Sequence, residues 1–164
     1  MKKDFVPADF EIPLTHSHEH FRIEVLEPSV VEIDYDAVMS SKENLRTIFA
    51  ENDDWPADDM SLEKNMSDLI THEKEFKARE AFAFTVLTTD KTKCIGCLYI
   101  EPSNRDGVDA EVYYWLRDDS LELMSEFEIT IKSWLAKEWP FNSIAYPGRE
   151  ISWEEWGKRS HDHI

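Results

Sequence analysis

The sequence predicts an α/β fold: a mixed, mostly antiparallel central sheet flanked by helices, in the order β-α-α-β-β-β-α-β-α. Three observations carry this. Residues 81–101 hold two β-rich runs, "AFAFTVLTT" and "CIGCLYIE", on either side of the short polar "DKTK", the pattern of an antiparallel hairpin. Residues 111–117 alternate, with Glu111, Tyr113, Trp115 and Arg117 on one face and Val112, Tyr114 and Leu116 on the other. Met124, Phe127, Ile131, Trp134 and Leu135 then recur at three- and four-residue steps, one face of a helix. Pro140 ends it, because proline disfavours helical geometry in the residue before it. A strand returning across that helix joins the sheet in parallel.

The remaining elements follow in chain order. Residues 1–20 read as an extended segment interrupted by Pro7 and Pro13. His16, His18 and His20 alternate there, so on a strand they share a face that a metal could use. A solvated histidine-rich edge is the simpler reading, with His161 and His163 at most adding a weak adventitious site. Phe21, Ile23 and Val25 alternate with polar neighbours as a half-buried strand. Residues 30–49 turn helical, with Asp34 as a candidate cap and Ala37, Val38, Leu45, Ile48 and Phe49 as the apolar positions. The acidic stretch around Trp55 and Pro56 is turn-like, and Trp55 is a packed loop residue or a lid over a pocket. Leu62, Met66, Leu69, Ile70 and Phe76 mark a second helix, placing His72 on its surface.

Asp106-Gly107 is the turn signal leading into the alternating strand. At that strand's far end Asp119 and Glu122 have capping-box spacing, with Ser120 as a competing N-cap. "NSIAY" is a short strand closed by Pro147-Gly148, and Trp153 and Trp156 lie on a short final helix. Residues 158–164 read as a frayed tail. No repeat or linker divides the chain, which is read as one domain over 1–164.

Composition narrows the function classes. Eighteen basic against 35 acidic residues give a net charge of −17, which argues against nucleic acid and anionic membranes and suits a cationic partner. No apolar run approaches the roughly 20 residues of a membrane span. "MKK" runs straight into Asp4 rather than an apolar signal core, so the expectation is cytoplasmic. Cys94 and Cys97 form a C-x-x-C, a redox or zinc spacing in other contexts. Inside a strand, alternation sends the two side chains to opposite faces, and no second pair completes a tetrahedral set. The reading is two buried thiols and no metal.

The run "CIGCLYIEPS", then "AEVYYWLRDD", then a long helix resembles the GNAT acyltransferase superfamily, in particular the branch that modifies protein N-termini and small amines. "YDAVMSS" is similar to the opening helix of such proteins, and the likeness covers residues 20–157. It implies a CoA-dependent N-acyltransferase taking acetyl from acetyl-CoA to a cationic amine of a small molecule or peptide. The alternative is a non-catalytic module of the same fold that binds a ligand or protein; a homodimer is left open. By resemblance, Trp115, Leu116 and Arg117 line the acyl-thioester channel, where a strand N–H would stabilise the oxyanion. Ser120 lies where the helix start meets the cofactor. The family's glycine-rich pyrophosphate loop is replaced by "RDDSLELMSEF", with no glycine from Asp109 to Asn142. An enzyme therefore needs substitute cations among Arg105, Arg117, Lys132 and Arg149. The family's N-x-x-S reads "REIS" here, with Arg149 and Ser152 in the key positions. Amine acylation needs a base and an acid: Glu111 is the candidate base and Tyr146 the candidate acid. Tyr113, Trp55 and Arg149 are the candidate substrate contacts.

Overall fold

In the computed structural model, which describes residues 4–158, one six-stranded sheet runs in sequence order. Its strands are β1 (Thr15–Ser17), β2 (Arg22–Val25), β3 (Phe82–Leu87), β4 (Cys94–Pro102), β5 (Ala110–Leu116) and β6 (Ile144–Ala145). Neighbours pair antiparallel except β5 and β6, which are parallel. The helices are α1 (Val31–Ser40), α2 (Lys42–Leu45), α3 (Leu62–Lys77), α4 (Met124–Glu138) and α5 (Trp153–Gly157). The expected mixed, mostly antiparallel sheet with flanking helices is what forms.

Differences from the expected elements have local causes. Part of the segment read as extended pairs with β2 as β1, because Ser17 lies opposite Arg22 and the chain reverses over residues 18–21. The helix expected over 30–49 breaks after Ser40 into α1 and the single turn α2. The Ser41 hydroxyl accepts from the Asp118 N–H at 2.9 Å instead of continuing the helix face. Ser61 does cap α3 without an acid three residues on, its Oγ accepting from the Lys64 N–H at 3.1 Å. The Asp119–Glu122 capping box does not form. Asp118–Leu123 is a 3-10 turn and α4 starts at Met124 with no side-chain cap. Asp119 is drawn off by Lys93 at 2.9 Å and Arg117 at 3.3 Å.

The sheet separates two cores. On the α4 side Phe82, Phe84, Phe127, Ile131, Trp134 and Trp139 pack with the β5 residues Val112, Tyr114 and Leu116. On the α1–α3 side Leu26, Val38, Leu45, Leu69, Tyr99, Tyr113 and Trp115 form the second cluster. The alternation read from β5 is thus the division between the cores.

The expected opposite orientation of the two cysteines is overturned. Leu87 pairs with Cys94 while Val86 pairs with Gly96, so Ile95 is an extra residue in β4, a β-bulge. The extra residue restores the parity of a three-residue step, and Cys94 and Cys97 both face the α1–α3 side. The three histidines of residues 16–20 do not share one face: His18 and His20 stay adjacent, their rings 5.6 Å apart, while His16 turns to α4. His16 lies 3.8 Å from Glu138 and against Trp134, His18 stacks on Phe21, and His20 bonds Glu126 at 3.1 Å. His161 and His163 lie outside the described residues.

Candidate functional site

Two residue pairs, Ala110–Ile144 and Glu111–Ala145, are all that join β5 to β6. The chain then swings away through Pro147 and Gly148. Gly148 sits at φ +78°, and a Cβ there would come 2.5 Å from the Trp153 ring, so both backbone and space require glycine. β5 continues past the parting, leaving a groove of about 280 Å³. Trp115 and Leu116 line one side, Pro147–Arg149 the other, and Asn44, Ile48, Leu121 and Met124 complete it. By strand alternation the polar groups of Val112, Tyr114 and Leu116 face this gap. Arg149 reaches across it. Its guanidinium donates to the Tyr114 carbonyl at 2.7 Å and lies 4.1 Å over the Tyr114 ring.

At the α4 end of the groove three backbone donors are engaged. The Arg117 N–H donates to Ile95 O at 2.7 Å, Asp118 N–H to Ser41 Oγ at 2.9 Å and Ser120 N–H to Arg117 O at 2.8 Å. Arg117 pairs with Asp36 at 2.8 Å and with Asp119 at 3.3 Å. Ser120 is buried, and its hydroxyl donates to Asp119 at 3.3 Å. The hydrogen bond from Lys93, followed by the Arg117 charge, holds the Asp119 carboxyl below the usual range.

At the opposite end, where β5 and β6 part, stands Glu111. Tyr113 Oη donates to its carboxylate at 2.6 Å, and across the ladder it faces Glu101 of β4. Burial, then the negative charges of Glu111 and Glu75, push Glu101 up to about 7. Burial and the bond to Glu111 raise the Tyr113 hydroxyl well above its ordinary value. The result is a carboxyl group poised to exchange protons near neutrality beside an aromatic wall. Sequence reasoning missed Glu101. The signal was present: folding the chain back about the Asp106–Gly107 turn sets Glu101 opposite Glu111.

The same face carries a second concavity of about 190 Å³, lined by Asp34 and Val38 of α1, Asn65, Asp68 and His72 of α3, and Tyr99, under Phe49 and Trp55. Asp34 is only 2% exposed; its Oδ2 accepts from Asn65 Nδ2 at 2.8 Å and its Oδ1 from Cys97 Sγ at 3.5 Å. Burial pushes its carboxyl upward against those hydrogen bonds, and burial pushes the His72 imidazole downward, toward its neutral form. His72 is therefore half-buried against Tyr99 rather than a free surface residue.

The candidate residues thus fall into separate groups. Glu111 and Tyr113 meet, and Trp55 lines the Asp34 cavity. Leu116 and Arg149 flank the groove, while the Trp115 indole points into the α1–α3 core and donates to Tyr99 Oη at 3.1 Å. Tyr146 packs on the α4 side against Tyr114, so Glu111 and Tyr146 are not brought together. Burial, then Glu150, pushes the Tyr146 hydroxyl up to about 12. Of the substitute cations, Lys132 pairs with Glu150 and lies 5.4 Å over Tyr146, and Arg105 lies 4.6 Å over Trp156.

No protein-family model matches the sequence, and no curated protein sequence matches it either. Solved structures do match by shape. A probable acetyltransferase superposes with a TM-score of 0.61 at 16% identity over 80% of this chain and 72% of its own. A ribosomal-protein-S5-alanine acetyltransferase from Vibrio fischeri gives 0.57 at 17% identity over 76% of this chain and 68% of its own. A ribosomal L7/L12 α-N-protein acetyltransferase in complex with coenzyme A gives 0.56 at 16% identity, over 71% of this chain and 64% of its own. Against some of these proteins the chain therefore spans less than two thirds of the length. The chain has the fold of the GNAT acetyltransferases.

Proposed function

We propose that this protein is a CoA-dependent N-acyltransferase acting on a cationic amine of a small molecule or peptide. The observation that carries this reading is the parting of β5 and β6 with the Glu101–Glu111 pair at its head. A thioester arm laid along the groove would meet the unpaired edge of β5, where a backbone N–H can stabilise the oxyanion of the tetrahedral intermediate. At the head of the groove, Glu101 or Glu111 would take the proton from an ammonium before attack on the thioester. Tyr113 would hold the carboxylate in place. Arg149 would have to leave the Tyr114 carbonyl, freeing a cation for the donor's phosphates. Tyr146 lies on the other side of the sheet from Glu111, so the leaving thiolate would take its proton from another source, such as a water.

A second reading, a non-catalytic module of the same fold, is favoured by a different observation. The Asp118 and Ser120 N–H groups in the turn before α4 are already bonded, and Asp118, Asp119 and Glu122 stand where phosphates would need positive charge. Isothermal titration with acetyl-CoA separates the two. Binding in the micromolar range that weakens on removing the nucleotide phosphates supports the enzyme, and an acceptor screen over amines and basic peptides then follows. No heat at millimolar acetyl-CoA overturns the enzyme reading and leaves the cleft to a non-thioester ligand.

A further inference from the structure

Asp34, Cys94 and Cys97 lie inside the molecule between α1 and β4, away from the groove along β5. Their ligand-type atoms lie within 4.8 Å of one another, and all three residues are buried. The two thiols share a face only because Ile95 is bulged out of the ladder. Asp34 is a buried carboxylate whose bonding partners are the Asn65 amide and the Cys97 thiol, and no Lys or Arg among the described residues pairs with it. Such a group is costly to bury without a positive partner. The Cys97–Asp34 separation of 3.5 Å is already close to one edge of a tetrahedron with metal–sulfur bonds of about 2.3 Å and metal–oxygen bonds of about 2.0–2.2 Å. Asn65 grips the other carboxylate oxygen, as an outer-sphere partner does in orienting a ligand. Asp34 also lines the 190 Å³ cavity, which provides an entry path and room for a water.

The geometry points to a binding site for a thiophilic divalent cation, zinc above all, ligated by the Cys94 and Cys97 sulfurs and Asp34 Oδ1, with the fourth position turned to the cavity. On binding, the two thiols release their protons to solvent and the cation supplies the positive charge that this corner of the core lacks. Sulfur ligation disfavours magnesium and calcium, which seek oxygen. The ion would tie α1 to β4 beside α3, a structural role independent of acyl transfer.

The test is titration of the full chain, reduced and freed of metal by chelation, with cobalt(II) and then zinc. One equivalent of cobalt should give thiolate-to-metal charge transfer in the near ultraviolet and tetrahedral absorption in the visible, both displaced by zinc. Cys94→Ser and Cys97→Ser should each cut the charge-transfer band by half or more. Asn65→Ala should weaken binding about 10- to 100-fold. Replacing His16, His18 and His20 together by Ala should leave the spectrum unchanged. No charge-transfer band at one equivalent of cobalt, or a band left undiminished by Cys97→Ser, overturns the site. Should the variants fail to fold, X-ray absorption on the wild-type zinc form decides. Two sulfur neighbours at about 2.3 Å uphold the site, and an all-nitrogen-and-oxygen shell overturns it.

Discussion

On the α4 side of the sheet the interior is built from aromatic rings in contact. Phe84 meets Trp134 edge-on at 5.3 Å, Trp134 meets Trp139 at 5.6 Å, and Phe82 lies 5.3 Å from Trp139. On the α1–α3 side the interior is interrupted by Asp34, Asn65, Thr85 and two thiols, and its rim carries Glu101 and Glu111. Burying apolar rings stabilises a fold directly, whereas each buried polar group must recover its lost hydration through a partner. The α4 face is therefore given over to apolar packing, and the α1–α3 face, while also burying apolar side chains, holds groups that can bind or exchange protons.

The largest effect should come from the aromatic face. Trp134→Ala removes a side chain that is 2% exposed from the centre of the ring cluster. It should cost about 3–5 kcal/mol, readable as a large drop in the urea midpoint. A cost below about 1 kcal/mol would mean that the two faces do not divide labour in this way.

Gly96 tests the polar face through its bulge. A Cβ at this position would lie 2.2 Å from the Trp115 carbonyl oxygen, a backbone atom that cannot move aside cheaply. Gly96→Ala should therefore cost about 1–3 kcal/mol, and it should disturb the environment of the Cys94 and Cys97 thiols. Thiol accessibility to a labelling reagent, compared between the variant and the wild type, reads the second effect. Unchanged stability would show that β4 can flatten and that the bulge is not held in place by Gly96.

What could be read in advance differs along the same line. The alternation of residues 111–117 and the helical spacing of Met124 to Leu135 are periodic, and periodicity is imprinted by burial on one face. Both were legible, and with them the hairpin and the mixed, mostly antiparallel character of the sheet. The bulge at Ile95 was not, because one inserted residue leaves no compositional trace while inverting every side-chain direction beyond it. The Asp34–Asn65 bond joins two helices through residues 31 apart in sequence, which no local pattern encodes. Glu101 stands between these extremes, since its perturbed environment depends on register and register was countable from the Asp106–Gly107 turn. At the start of α4 the acids were visible, but their capture by Lys93 and Arg117 was not.

Glu101 sharpens the comparison through pH. Its folded-state value, raised to about 7 from 4.5, means that the native protein keeps this proton longer than the unfolded chain does. The penalty for ionising it is absent below about pH 4.5, grows as pH rises, and is complete above about 7. Glu101→Gln should thus gain on the wild type across that window, by about 1–2 kcal/mol once solvent screening at this half-buried site is allowed for. Thermal melts at intervals between pH 4 and 8 read this directly. In the acyltransferase reading, the same substitution removes the rise of kcat/KM with an apparent pKa near 7.

The smallest energies concern the rim where the polar face meets α4. Asp118 and Asp119 lie in the turn before that helix, where negative charge interacts favourably with the helix dipole by about 0.3–1 kcal/mol each. Replacing both by Asn should lower stability by that modest amount. It should also release Lys93 and Arg117 from Asp119 and remove two like charges from the path of an incoming phosphate. In the acyltransferase reading, the acetyl-CoA affinity, measured by titration at low and at physiological salt, should then rise about three- to thirtyfold, with the larger gain at low salt. An affinity that stays flat while stability falls would mean that the acids serve the helix alone. The donor's phosphates, if they bind, would then be held elsewhere, with Arg149 across the groove as the cation to mutate next.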